Sequence, residues 1–135
     1  MSASALEMLD SNVLIYAFST DPRADTADGL LRKGCVISVQ ALNEFTNVAR
    51  RKMGMPWGEI REAVSIIQTL CRPVIPLEVE AHAKAIAIAE RYRLSFFDAL
   101  MVAVGLTAGC GVLWSEDMQD GLVIEGKLRI RNPFR

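Results

Sequence analysis

The sequence lacks the marks of an exported, membrane-bound or strongly charged protein. Its 135 residues hold three cysteines, Cys35, Cys71 and Cys110, an odd number with no Cys-x-x-Cys pair. Neither a disulfide framework nor a zinc site is indicated, and three buried thiols in a reducing cytoplasm are expected. One histidine, His82, stands alone, so a role for it as metal ligand or general base is disfavoured. No sign of charge dominates: 15 Lys and Arg oppose 16 Asp and Glu, a net charge of -1. A protein-wide positive field for nucleic acid is therefore excluded, and any such contact needs a local patch or metal ions. No basic residue precedes Arg23, so the charged start of a secretory leader is missing. The longest uncharged run, Ala99 to Trp114, is shorter than the roughly 20 residues that cross a bilayer, and Gly109 and Gly111 interrupt it. A cytoplasmic protein with no membrane partner is the expectation.

What is present is core. Hydrophobic residues make up 51% and charged ones 23%, with mean hydropathy +0.23, which excludes a disordered chain. A chain of this length is expected to form one compact domain over residues 1–135. Short apolar runs alternate with helical periodicities. Leu6 to Leu9, Cys35 to Ser38, Val74 to Leu77, Val112 to Trp114 and Leu128 to Arg131 read as strands. Between them lie helical stretches at Val13 to Phe18, Gln40 to Lys52, Pro56 to Leu70, Val79 to Arg93 and Ser95 to Thr107. A further helix is expected to be capped by Asp21, with Pro22 at its first position, and to end near Gly34. Strands separated by helices predict an α/β fold, a three-layer α/β/α sandwich around a mainly parallel central sheet.

Ligands of open parallel sheets bind at the carboxyl ends of the strands, and four acids fall there. Asp10 closes the first strand, Glu44 follows the second, Asp98 opens the most apolar helix, and Asp117 follows the strand ending at Trp114. The helical neighbours of Glu44 are Gln40, Ala41, Asn47 and Val48; those of Asp98 are Leu94, Ser95, Met101 and Val102. Neither acid has a base within a helical turn, whereas Glu80 has Lys84 and Glu90 has Arg93, the ordinary pattern of a solvated face. Unpaired carboxylates in apolar surroundings are costly unless they share a cation.

Plainer readings exist for each acid. Ser95-x-x-Asp98 matches a capping box, Asp10-Ser11-Asn12 an Asx turn capping the next helix, and Glu116, Asp117 and Asp120 a solvated loop. Trp57 and Trp114 are expected to pack, and Arg50-Arg51-Lys52 to be solvated. What these readings leave unexplained is that all four acids fall at one edge of the sheet.

The segments Leu9-Asp10-Ser11-Asn12-Val13-Leu14, Ser38-Val39-Gln40-Ala41-Leu42-Asn43-Glu44-Phe45, Ser95-Phe96-Phe97-Asp98-Ala99-Leu100 and Leu113-Trp114-Ser115-Glu116-Asp117-Met118-Gln119-Asp120-Gly121 resemble, in order and spacing, the PIN-domain ribonucleases, among them VapC toxins. By position, Asp10, Glu44, Asp98 and Asp117 look like that family's catalytic, metal-holding quartet, with Asn12 and Ser115 as polar supports. Glu116 and Asp120 stand close enough to join or replace Asp117. The resemblance implies hydrolysis of RNA phosphodiesters with Mg²⁺ or Mn²⁺, and all-oxygen donors suit such hard ions. It also implies a homodimer and a small antitoxin protein that directs a basic side chain at the acidic pocket. A non-catalytic RNA-binding or interaction module on the same fold is the alternative. A phosphatase of the haloacid dehalogenase type is disfavoured, because Asn12 stands where its second acid would be.

Overall fold

The computed structural model describes residues 6–135, so residues 1–5 of the expected domain lie outside it. In chain order the elements are β1 (Leu6–Leu9), α1 (Ser11–Ala17), α2 (Ala24–Lys33), β2 (Ile37–Ser38), α3 (Val39–Arg51) and α4 (Trp57–Leu70). There follow β3 (Val74–Ile75), α5 (Val79–Tyr92), α6 (Phe96–Thr107), β4 (Cys110–Trp114), β5 (Val123–Ile124) and β6 (Leu128–Arg131).

β1 pairs in parallel with β4 and β4 with β6, while β5 runs antiparallel at the edge beyond β6. β2 and β3 form a second parallel pair. A bridge between Met8 and Val36, with Leu9 N donating to Val36 O at 3.0 Å, joins the pair to β1. The strand order is therefore β3-β2-β1-β4-β6-β5, and β1 lies in the interior of the sheet. Helices flank the sheet, giving the α/β/α sandwich that the alternation of strands and helices anticipated.

The core lies where β1 and β4 meet α6. Met8, Leu9 and Leu113 are inaccessible, and Ala99 through Gly105 of α6 are all buried. Gly105 permits this closeness: a Cβ there would stand 2.9 Å from Leu128 Cδ1 and 3.1 Å from Met8 Cε. All three cysteines are free and buried, and burial pushes Cys35 and Cys110 up to about 11 and Cys71 to about 12. Thiols held that far from ionisation are poor nucleophiles at neutral pH. Among the described residues, no helix is long and apolar enough to cross a membrane.

Several expected bounds shift by about two residues, among them strands β2 and β3, which shorten to Ile37–Ser38 and Val74–Ile75, and two differences bear on the fold. α2 begins at Ala24, because the Asp21 side chain accepts from Arg23 N at 2.9 Å and its carbonyl from Ala24 N at 3.0 Å. Asp21-Pro22-Arg23 is thus a turn before the helix. Gly34 ends the helix in the left-handed conformation, φ 93°, which glycine adopts without strain. The second change is β5, two residues paired back onto β6.

Candidate active site

Asp10 is set by its strand. Leu9 lies opposite Trp114 in the β1/β4 ladder, and Asp10 N donates to Trp114 O at 3.0 Å, so the residues leaving both strands emerge side by side. Ser115 Oγ donates to Asp10 Oδ2 at 2.7 Å. The other oxygen of Asp10 caps α1, accepting from Ser11 N at 2.7 Å. The capping reading of Asp10-Ser11-Asn12 therefore holds, and the cap is part of the cluster.

Asn12 links the two strand ends. Its Nδ2 donates to Asp117 Oδ2 at 3.1 Å and to Asp10 Oδ2 at 3.3 Å, while its Oδ1 accepts from Glu116 N at 3.3 Å. Ser115 Oγ also accepts from Asp117 N at 3.2 Å, so one hydroxyl orients two acids. Every buried side-chain nitrogen and oxygen among the described residues has a partner.

Glu44 reaches this group from α3, which Ser38 caps by accepting from Ala41 N at 3.0 Å. Its Oε1 accepts from Ser11 Oγ at 2.7 Å and its Oε2 from Gln40 Nε2 at 3.1 Å. Ser11 was not among the candidate residues of the sequence. Its signal lay in its place after the capping Asp10, but which acid its hydroxyl would serve depends on the α1/α3 packing. Asp98 sits in the first turn of α6, where Ser95 Oγ accepts from its backbone N at 3.4 Å. That is one half of the anticipated capping box.

Charge shows which acids share a field. Burial pushes the Asp10 carboxyl up to about 7; hydrogen bonds from Ser115 and Ser11 oppose the rise, and the charges of Glu44 and Asp117 add to it. Asp98 is likewise raised, first by burial and then by Asp117 and Glu44, against its hydrogen bond with Ser95. None of the four acids forms an ion pair with Lys or Arg among the described residues. Their donors are neutral hydroxyls, amides and backbone N–H groups, which satisfy geometry but leave the negative charge in place.

Two further candidate acids are held elsewhere. Glu116 turns its carboxylate to Tyr16 Oη, 2.6 Å away, and to Arg23; Asp120 accepts from Asn132 N at 2.8 Å. Lys84, expected beside Glu80, instead reaches Glu125 at 3.6 Å. His82 is exposed, with its ring centroid 5.2 Å from that of Phe96.

The donor chemistry of Asp10, Glu44, Asp98 and Asp117 fits a hard divalent ion: carboxylate oxygens only, no cationic partner, and one member whose burial pushes its carboxyl up to about 7. No three His, Cys, Asp or Glu side chains among the described residues stand close enough to enclose an ion by themselves. Mg²⁺ ordinarily keeps several waters and takes only one or two carboxylates directly, which such an open set of acids can provide.

A parallel sheet with converging acids at the carboxyl ends of its strands defines a class of α/β proteins in which the site sits on the sheet edge. The PIN domain family model matches residues 8–119, and the chain belongs to that family. Among solved structures it is similar to a toxin–antitoxin complex from Klebsiella pneumoniae, with 19% identity, 94% of this chain and 97% of the other covered, and TM-score 0.72. It is also similar to VapC20 of Mycobacterium tuberculosis, described as a sarcin-ricin loop cleaving toxin, with 21% identity, 82% and 89% coverage and TM-score 0.65. A third is VapBC2 from Rickettsia felis bound to a DNA fragment from its promoter, with 17% identity, 94% and 98% coverage and TM-score 0.68. No curated protein matches the sequence.

Proposed function

We propose that the protein is a Mg²⁺- or Mn²⁺-dependent endoribonuclease acting as the toxin of a toxin–antitoxin pair. The observation that carries this reading is Asp10: a carboxylate at the end of a central strand, raised first by burial and further by the charges of Glu44 and Asp117, with no cationic partner. Asp10, Glu44, Asp98 and Asp117 would hold the ion. When bound, it would lower the pKa of a water and neutralise charge developing on the leaving oxygen.

The chain's own side chains do the rest. Ser115 and Asn12 keep Asp10 and Asp117 at a fixed separation, and Ser11 keeps Glu44 beside them. The ionised acids would repel a bare phosphodiester: two unit charges about 5 Å apart repel by roughly 3 kcal/mol at an effective dielectric near 20. Cleavage should therefore depend strictly on divalent cation. The same charge suits a partner's basic side chain, and the toxin–antitoxin neighbours support a small antitoxin as that partner. Apolar side chains left exposed on α4 (Trp57, Ile66) and α5 (Val79, Ile86) support contact with the antitoxin or with a second copy in a homodimer.

Incubation of purified protein with structured RNA, including a sarcin-ricin hairpin, and with unstructured RNA tests the reading in Mg²⁺, Mn²⁺ and chelator. Divalent-dependent cleavage that is lost in Asp10→Asn is the expected outcome. RNA held without cleavage in any ion would replace the enzyme by a binding module. Light scattering that shows a strict monomer at micromolar concentration would remove the homodimer, and recovery of no small protein with the natively expressed chain would remove the antitoxin.

A further inference from the structure

Glu116 lies between two residues of the cluster yet faces away from it. Its Oε1 accepts from Tyr16 Oη at 2.6 Å, its Oε2 is 3.5 Å from Arg23 Nε, and an Arg23 terminal nitrogen donates to Tyr16 Oη at 2.6 Å. The three groups close a ring of contacts in which the guanidinium donates to the phenol and the phenol donates to the carboxylate. The Tyr16 ring is fixed as well, with the Arg23 guanidinium carbon 4.8 Å from its centroid and Phe134 packed edge-on at 5.1 Å.

The other end of Glu116 is gripped from the same helix. Its backbone N–H donates to Asn12 Oδ1, and Asn12 and Tyr16 stand four residues apart on one face of α1. Backbone and side chain of a single residue are thus tied to successive turns of α1. The neighbours on either side, Ser115 and Asp117, are the ones that meet Asp10 and Asn12. A rotation of this segment that moved Asp117 would have to break the grip on Glu116.

We propose that Tyr16, Arg23 and Glu116 form a clamp of positioning residues that holds the segment from Ser115 to Asp117 in register with Asp10, and so sets the affinity of the acid cluster for its divalent ion. The inference rests on the metal-dependent reading above and deepens it. None of the three touches RNA in this scheme; they act through Asn12 and Asp117. Arg23 also balances the charge of Glu116, keeping a fifth carboxylate from adding to the repulsion within the cluster.

The test uses Tyr16→Phe, which keeps the ring packing and removes only the hydroxyl, together with Glu116→Ala, which removes the acceptor of that hydroxyl, and the double variant. Titration calorimetry with Mn²⁺ alone reads ion affinity; RNA cleavage at limiting and saturating Mn²⁺ reads kcat and KM. Outer partners of metal ligands typically change affinity by 10–100-fold, so each single variant should bind Mn²⁺ about tenfold more weakly. The double variant should be no worse than the poorer single one, because both remove the same bond. The KM for RNA should stay unchanged, and excess Mn²⁺ should restore cleavage. Wild-type Mn²⁺ affinity in both single variants, or a raised KM with unchanged ion affinity, overturns the clamp and leaves the metal reading standing. Failure of the wild-type protein itself to bind Mn²⁺ overturns both.

Discussion

The acid cluster has two unlike halves. Asp10 and Asp117 lie on the strand side, joined through Ser115 and Asn12 by contacts between 2.7 and 3.5 Å that link β1, α1 and the residues after β4. Glu44 and Asp98 lie on the helix side, where Glu44 has two neutral side-chain donors and Asp98 leans on its own helix cap. Asp10 is buried and hydrogen-bonded at both oxygens, whereas the Asp98 side chain sits half-buried at its helix start. Preorganised groups cost least to use, so the strand half should dominate function and the helix half should tune it.

The largest effect should come from Asp10→Asn. Cleavage should fall more than about a hundredfold, beyond the range typical of groups that merely support a ligand. An asparagine side chain can still accept from Ser11 N, so the cap on α1 survives and circular dichroism should show a folded protein. Near-normal cleavage would erase the distinction between the halves.

Ser115→Ala sharpens the comparison at the level of stability. It removes one donor to buried Asp10 and one acceptor of Asp117 N, and urea unfolding should show a loss of about 1–3 kcal/mol. Ser95→Ala, the matching change on the helix half, removes an exposed cap and should cost about 1 kcal/mol or less. Equal losses would mean that the two halves are held alike.

Titration gives a third test. The Asp10 carboxyl titrates near 7 in the fold, against about 3.9 in an unfolded chain, so the folded state holds the proton more tightly. Its contribution to stability is full below about pH 4 and lost as pH rises through 7. Melting of metal-free protein should therefore fall across that window as far as Asp10 decides it. Mn²⁺, binding only the folded cluster, should offset the fall at neutral pH. Asp10→Asn should flatten the profile in chelator.

The smallest effect is expected at Asp98. Burial and the charges of Asp117 and Glu44 disfavour its ionised form, so Asp98→Asn should melt slightly higher than wild type in chelator and gain less from added Mn²⁺. If this variant is destabilised in chelator yet gains as much from Mn²⁺ as wild type, Asp98 is a cap and nothing more.

The sequence shows the strand half more plainly than the helix half, for physical reasons. Asp10, Asn12, Ser115 and Asp117 stand just past the carboxyl ends of two apolar strands, and parallel pairing of those strands is enough to bring them together. Glu44 and Asp98 stood out because no base lay within a helical turn, and the structure gives neither an ion pair. Of the two donors to Glu44, Gln40 lies one turn back on the same helix, whereas Ser11 comes from another helix and no local spacing specifies it. The same limit applies to Lys84, whose four-residue neighbour Glu80 loses it to Glu125 in a distant turn. β5 escaped notice because two residues are too few to show a period; it exists by virtue of its pairing with β6. Glu116 looked like one more acid of the loop, and only the packing of α1 beneath it shows where its carboxylate goes.

The β1/β4 pairing that unites the cluster also sets when it can form during synthesis. Ser115 and Asp10 are 105 residues apart, as are Asp117 and Asn12, so these contacts are among the most non-local the chain can make. Such contacts form late, after long loops have closed. A nascent chain exposes Asp10 and Glu44 while Ser115 and Asp117 have yet to be translated, and β4 in turn waits for β6 to cover its far edge. Fragments that end before Asp98 lack half of the acids and Ser115, the hydroxyl that ties Asp10 to the far end of the chain. Nearly the whole chain must therefore be synthesised before the cluster can assemble.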